Sequence, residues 1–76
     1  MIEVKLPELG EGIKQATVSY WFFQEGQAVK EKEELVELTT DKATFNLPSP
    51  ASGVLKQVLI KEGETIAIGT VLAIIS

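Results

Sequence analysis

The sequence predicts an all-β fold, either two small sheets packed face to face or a flattened barrel. Three observations carry that expectation. A strand–turn pattern occurs twice, apolar residues alternate with a period of two, and Gly or Pro separates the alternating runs. The repeat is the strongest of the three. "EGQAVKEKEELVEL" (25–38) aligns with "EGETIAIGTVLAII" (62–75) at an offset of 37, matching Glu25 to Glu62, Gly26 to Gly63, Val29 to Ile66 and Leu35 to Leu72. A second echo joins "LPELGEG" (6–12) to "LPSPASG" (47–53) at an offset of 41, which places four extra residues between Gly12 and Glu25.

Taken in order, the first strand is Ile2–Leu6, where "IEVKL" alternates apolar and charged residues. Thr17–Phe23 follows, β-branched and aromatic, with Trp21 expected in or near the core rather than stacking on a ligand. A short strand lies near Val29. The next segment is ambiguous by itself, because "AVKEKEELVEL" has the Glu, Lys and Leu of a helix. Its counterpart "TIAIGTVLAII" is β-branched and interrupted by Gly69. Equivalent copies share a structure, so Glu34–Thr40 is a strand. Ala43–Leu47, Val54–Ile60, a short strand near Ile66 and Val71–Ile75 complete a set of eight. Gly10, Gly12, Gly26, Pro48, Pro50, Gly53, Gly63 and Gly69 punctuate them. "KEKEE" (30–34) reads as a solvated edge that opposes strand-to-strand aggregation.

The central hairpin has a readable register. Val36, Leu38 and Thr40 share one face of their strand, and Ala43, Phe45 and Leu47 share one face of the next. A turn at Asp41-Lys42 pairs Thr40 with Ala43, Leu38 with Phe45 and Val36 with Leu47, all pointing inward. A slip of one residue sets Leu38 against Asn46 and wastes the core face, whereas a slip of two keeps the faces matched; placing the two charged residues in solvent favours Asp41-Lys42. This hairpin joins the two halves, so the repeat puts the chain termini at the counterpart pole. Lys42 then stands far from any tether, as a carried group would.

Composition narrows the chemistry. The 76 residues make one domain. There is no His and no Cys, so disulfides, His-ligated metal and the Ser–His or Cys–His nucleophile pairs are excluded. The net charge is −4 and every basic residue is Lys, the opposite of a nucleic-acid-binding balance. The charge is also lopsided: residues 1–38 hold eight Glu against four Lys, whereas residues 39–76 balance. An acidic half favours partners with a basic patch. No leader of the secretory type and no apolar run of about 18 residues is visible, so no membrane partner is expected.

"LPELGEGI" (6–13), Trp21, Glu25-Gly26, "TDKA" (40–43), "LPSPASG" (47–53) and the later "EG", "IG" and "VL" of 62–72 together resemble the lipoyl domains of 2-oxo acid dehydrogenase complexes. The resemblance spans the whole chain. It implies a flattened β-barrel of two four-stranded antiparallel sheets with a quasi-twofold repeat. It also implies lipoate held by an amide on Lys42, with Asp41, Ala43 and Thr40 read by the attaching enzyme, and an activated donor because a protonated amine is a poor nucleophile. A surface loop near the modified lysine helps partners recognise such domains, and Glu8 and Glu11 are the candidates here. In the family a thiamine-dependent 2-oxo acid decarboxylase reductively acylates the arm, an acyltransferase site takes the acyl group, and the flavoenzyme dihydrolipoamide dehydrogenase reoxidises the dithiol. The chain would be a non-catalytic, monomeric domain, 1–76, at the N-terminus of a larger acyltransferase. It would work in the cytoplasm of a bacterium or archaeon, or in the mitochondrial matrix if Met1 is not native. Two positions depart from the family pattern: Thr39 where Glu is common, and Asn46 where an acidic residue is frequent. The alternatives are a biotin carrier, which usually has Met on both sides of its lysine, and an unmodified β-sandwich that docks a basic partner.

Overall fold

The computed structural model describes residues 1–76 as eight strands and no helix, so no helix is long and apolar enough to cross a membrane. The strands are β1 (Ile2–Lys5), β2 (Gln15–Trp21), β3 (Ala28–Val29), β4 (Glu34–Thr39), β5 (Thr44–Pro48), β6 (Gly53–Val58), β7 (Thr65–Ala67) and β8 (Val71–Ile75). They form two four-stranded sheets, ordered β1-β8-β6-β3 and β5-β4-β2-β7, with every neighbour antiparallel. Each expected strand is present. The helix-prone 34–39 segment is extended because Leu35, Val36 and Leu38 reach the core from a strand while Glu34 stays outside. Burial outweighs local propensity there.

The repeat is visible in the backbone itself. Gly26 and Gly63 have φ of 93° and 94°, and Lys32 and Gly69, again 37 apart, have φ of 76° and 92°. The register of β2 on β4 shifts between Val18 and Tyr20, and that of β6 on β8 between the equivalent Leu55 and Gln57. Glu25 and Glu62 explain why Glu precedes each turn Gly. The carboxylate of Glu62 accepts from Trp21 N at 3.0 Å, and that of Glu25 accepts from Val58 N at 2.7 Å, so each half caps a strand of the other.

One expectation needs correcting. Leu6 N donates to Thr70 O and Gly69 N to Leu6 O, while Ser49 N donates to Glu33 O and Lys32 N to Ser49 O. Since Thr70 and Gly69 match Glu33 and Lys32, the counterpart of Leu6 is Ser49, at an offset of 43 rather than 41. Nine residues separate Leu6 from Ala16, whereas three separate Ser49 from its counterpart Gly53. The excess is therefore six residues, in the loop after β1, and not four between Gly12 and Glu25. The shared Leu-Pro pair is a coincidence of composition.

Lys32 is the only residue other than Gly with positive φ, at a position where the other half uses Gly. A left-handed conformation costs a side-chain-bearing residue about 1–2 kcal/mol, partly offset in Gly by its freer unfolded state. Lys32→Gly is expected to gain about 0.5–1 kcal/mol in urea unfolding. An unchanged or lower midpoint would refute the equivalence of the two turns.

The core contains thirteen buried apolar residues, all of them Leu, Ile, Val or Ala. The aromatic residues of β2 and the segment after it lie at the margin of this core. Trp21 and Phe23 pack half-buried against the core, Trp21 Nε1 donating to Ile60 O at 2.9 Å. Tyr20 and Phe22 lie exposed, edge to face with centroids 5.2 Å apart. The "YWFF" run crosses the end of β2, and strand order there stops at Trp21 rather than Phe23.

Candidate functional site: the tip between β4 and β5

The hairpin has the register expected from its pattern: Val36 opposes Leu47, Leu38 opposes Phe45, and Thr39 opposes Thr44. Thr40 N donates to Ala43 O at 2.8 Å, leaving Asp41 and Lys42 as the turn. Not all of these pairs face the core, however. Ala43 is exposed and Phe45 and Leu47 are half-buried, because β5 is an edge strand with no neighbour on its far side.

Two-residue hairpins usually adopt mirror-image turns that need positive φ and hence Gly or Asn. Neither Asp41 nor Lys42 has positive φ. The Thr40 side chain makes up the difference. Its Oγ1 accepts from Lys42 N at 3.2 Å and Ala43 N at 3.0 Å, and it donates to Ala43 O at 2.9 Å. Thr40→Val keeps the shape and removes all three bonds. The expected cost is about 1 kcal/mol, with faster amide exchange at Lys42 and Ala43; unchanged exchange there would show that the backbone alone holds the tip.

Lys42 is exposed and its ammonium makes no ion pair, the single pair in the molecule being Lys5 with Glu3 at 3.7 Å. Beneath it lies Gly12. A Cβ on Gly12 would sit 3.1 Å from Lys42 Nζ, and φ there is +80°. The six-residue excess is thus folded against the tip, and it meets the lysine at the one residue type without a side chain. Between them runs an open groove of about 560 Å³, lined by residues 12–17, 39–41 and 65. Its walls are mostly polar. The Thr17 and Thr65 hydroxyls pair at 2.7 Å, and Ser19 bonds Thr39.

The structure therefore gathers Thr40, Asp41, Lys42 and Ala43 at one point. Glu8 and Glu11 lie on the adjoining loop but line a separate depression of about 370 Å³ with Lys14 and Ile68. Gly12 and the hydroxyls of Thr17, Thr39 and Thr65 were not among the sequence candidates. Only the Gly of "GEG" carried a signal, as a turn residue; the Thr cluster forms through pairing of distant strands.

Opposite the tip, Ser76 exchanges both backbone hydrogen bonds with Val54, and Ile2 pairs with Ile75. From that end the chain of contacts runs through Gly53 on Val29, Ser52 on Glu31 N and Ser49 on Glu33 to the start of β4. β4 then leads away toward Thr39, about 17 Å at strand rise. In a body of 32 × 20 × 17 Å the termini and Lys42 lie at opposite ends.

The family described as "Biotin-requiring enzyme" matches residues 2–75. The chain is 46% identical over 70 residues to the dihydrolipoyllysine-residue succinyltransferase component of a 2-oxoglutarate dehydrogenase complex from Bartonella vinsonii subsp. berkhoffii, covering 92% of this chain and 17% of that one. It is 42% identical over 76 residues to the corresponding Bacillus subtilis component, covering 100% and 18%. Identity to the dihydrolipoyllysine-residue acetyltransferase component of a Staphylococcus epidermidis pyruvate dehydrogenase complex is 37% over 70 residues, covering 92% and 16%. The chain thus spans less than a fifth of these relatives. The solution structure of the lipoyl domain of the 2-oxoglutarate dehydrogenase complex from Azotobacter vinelandii superposes with a TM-score of 0.80 at 33% identity, covering 100% of this chain and 96% of that one.

Proposed function

The chain belongs to this biotin and lipoyl attachment family as a lipoyl domain, a small carrier rather than a catalyst, and from that membership we propose that Lys42 carries lipoate. The observation that carries the reading is the exposed, unpaired Lys42 amine at the end of the molecule remote from the termini. An attaching enzyme must reach that nitrogen, which belongs to an exposed side chain and is held in no ion pair. In attachment the amine, having lost a proton to solvent, attacks an activated lipoyl carbonyl. The N–C bond forms, the bond to the leaving group breaks, and the positive charge of the side chain is lost.

Bound there, lipoate supplies acyl carriage and a two-electron disulfide–dithiol couple. The chain's own residues supply position. Thr40 fixes the turn, and Gly12 leaves the Lys42 amine free of a side-chain collision. Tethering at the pole raises the effective concentration of the arm at each enzyme it visits. Those partners are a thiamine-dependent 2-oxo acid decarboxylase, an acyltransferase catalytic domain and dihydrolipoamide dehydrogenase, with the chain as the N-terminal domain of the acyltransferase. The names of the relatives support membership of such a complex, and their bacterial sources support the cytoplasm.

Intact mass after incubation with lipoate, nucleotide and a lipoate ligase tests the reading. One lipoyl increment is expected. A biotinyl increment with a biotin ligase would move the chain to the biotin carriers, and no adduct with either would leave only a binding module. Reductive acylation of the loaded domain by 2-oxoglutarate and pyruvate decarboxylases then identifies the complex.

A further inference from the structure

Four strands lie at sheet edges, and three of them are defended in the usual ways. β1 carries Glu3 and Lys5, β3 is two residues long beside the charged 30–34 turn, and β7 is three residues long behind Glu62 and Glu64. β5 differs. Residues 43–55 include no charged side chain, in a chain of which 24% is charged. Pro48 closes the strand only at its last residue.

The direction of its backbone follows from the tip. Thr40 N bonds Ala43 O, so antiparallel alternation turns Phe45 and Leu47 toward β4 and leaves the N–H and C=O of Thr44 and Asn46 facing outward. The half-buried Phe45 and Leu47 side chains add an apolar flank to this edge. It begins two residues after Lys42.

We propose that β5 is a strand-addition site for the enzyme that acylates Lys42, which lays an extended, uncharged segment along Thr44–Asn46. The proposal rests on the reading of Lys42 as the attachment point. Its physical basis is reach. Before attachment only the bare lysine stem projects, so the modifying centre must come right up to the tip and be held there. Enzymes that act on the loaded arm meet a longer tether and need no such closeness. Strand pairing suits the first task because its register is fixed in steps of about 3.3 Å, which sets the distance from the edge to Nζ. A charge on this edge would weaken pairing, and none is present.

The quasi-twofold repeat provides a matched control. At the offset of 43 the counterpart of Asn46 is Glu3, whose N–H also faces outward, from β1 at the far end. Asn46→Pro removes one outward donor and puts a ring in the path of an incoming strand without removing a bond to β4. Attachment to this variant by a lipoate ligase is expected to slow about tenfold or more, the worth of one or two backbone bonds. Glu3→Pro should attach lipoate at the rate of the unaltered domain. In a second measurement, hydrogen exchange on the Lys42→Arg domain with ligase and lipoate, the amides of Thr44 and Asn46 should become protected; this does not require Asn46→Pro to fold. An undiminished rate in Asn46→Pro, an equal loss in Glu3→Pro, or no protection at Thr44 and Asn46 would each overturn the proposal. So would protection that rises with domain concentration without ligase, since a second copy would then occupy the edge. Should the unaltered domain gain no lipoyl increment, the carrier reading itself fails, and that outcome is distinct from all of these.

Discussion

Lys42→Arg is expected to abolish the lipoyl increment completely while leaving the domain as stable as before. Arginine keeps the charge and nearly the length, but its guanidinium holds its proton so tightly that it cannot act as an amine nucleophile. Stability should hold because Lys42 is exposed and makes no ion pair to lose. Thermal unfolding should agree within about 1 °C, since surface changes away from structural features fall within about ±0.5 kcal/mol. The six other lysines sharpen the test. Lys5, Lys14, Lys30, Lys32, Lys56 and Lys61 are exposed too, so exposure alone does not select position 42. Residual modification of the variant at any of them would show that the tip is not what is recognised.

Leu35→Ala and Leu72→Ala should each cost about 2–5 kcal/mol, and the two costs should agree within about 1 kcal/mol. Both leucines are 0% exposed and occupy equivalent places in β4 and β8. A chain of this size has a total stability of about 4–11 kcal/mol, so either change removes a large part of it. The matched values are the more exacting outcome. A difference of several kcal/mol in urea unfolding would mean that the two halves share a backbone path but not a packing environment.

The parts of this structure that could be read in the sequence are those set by local periodicity. Alternation along 34–47 excluded a slip of one residue in the hairpin, the charges of Asp41 and Lys42 favoured the turn over a slip of two, and the paired Glu-Gly turns disclosed the repeat. The misplaced insertion has the opposite origin. Residues 7–14 have no apolar period, so a chance Leu-Pro match decided their alignment, whereas the true one depends on hydrogen bonds of Leu6 and Ser49 with residues far along the chain. The groove beside Lys42 was hidden for the same reason. Its walls come from three separated segments, and the approach of Lys42 to Gly12 exists only once the loop has closed. Within the aromatic run Trp21 and Phe23 pack against the core at its margin, because the narrow space between the sheets is filled by Leu, Ile, Val and Ala.

Each sheet takes two strands from residues 1–39 and two from residues 44–75, so neither half can close a sheet by itself. Severed into two peptides, the molecule would have to assemble as a bimolecular complex, with folding that depends on dilution. The covalent link between β4 and β5 turns that association into a concentration-independent event. Its splice point is the stretch bearing Lys42: the graft that makes one molecule out of two interlocked arms is also where its cargo hangs.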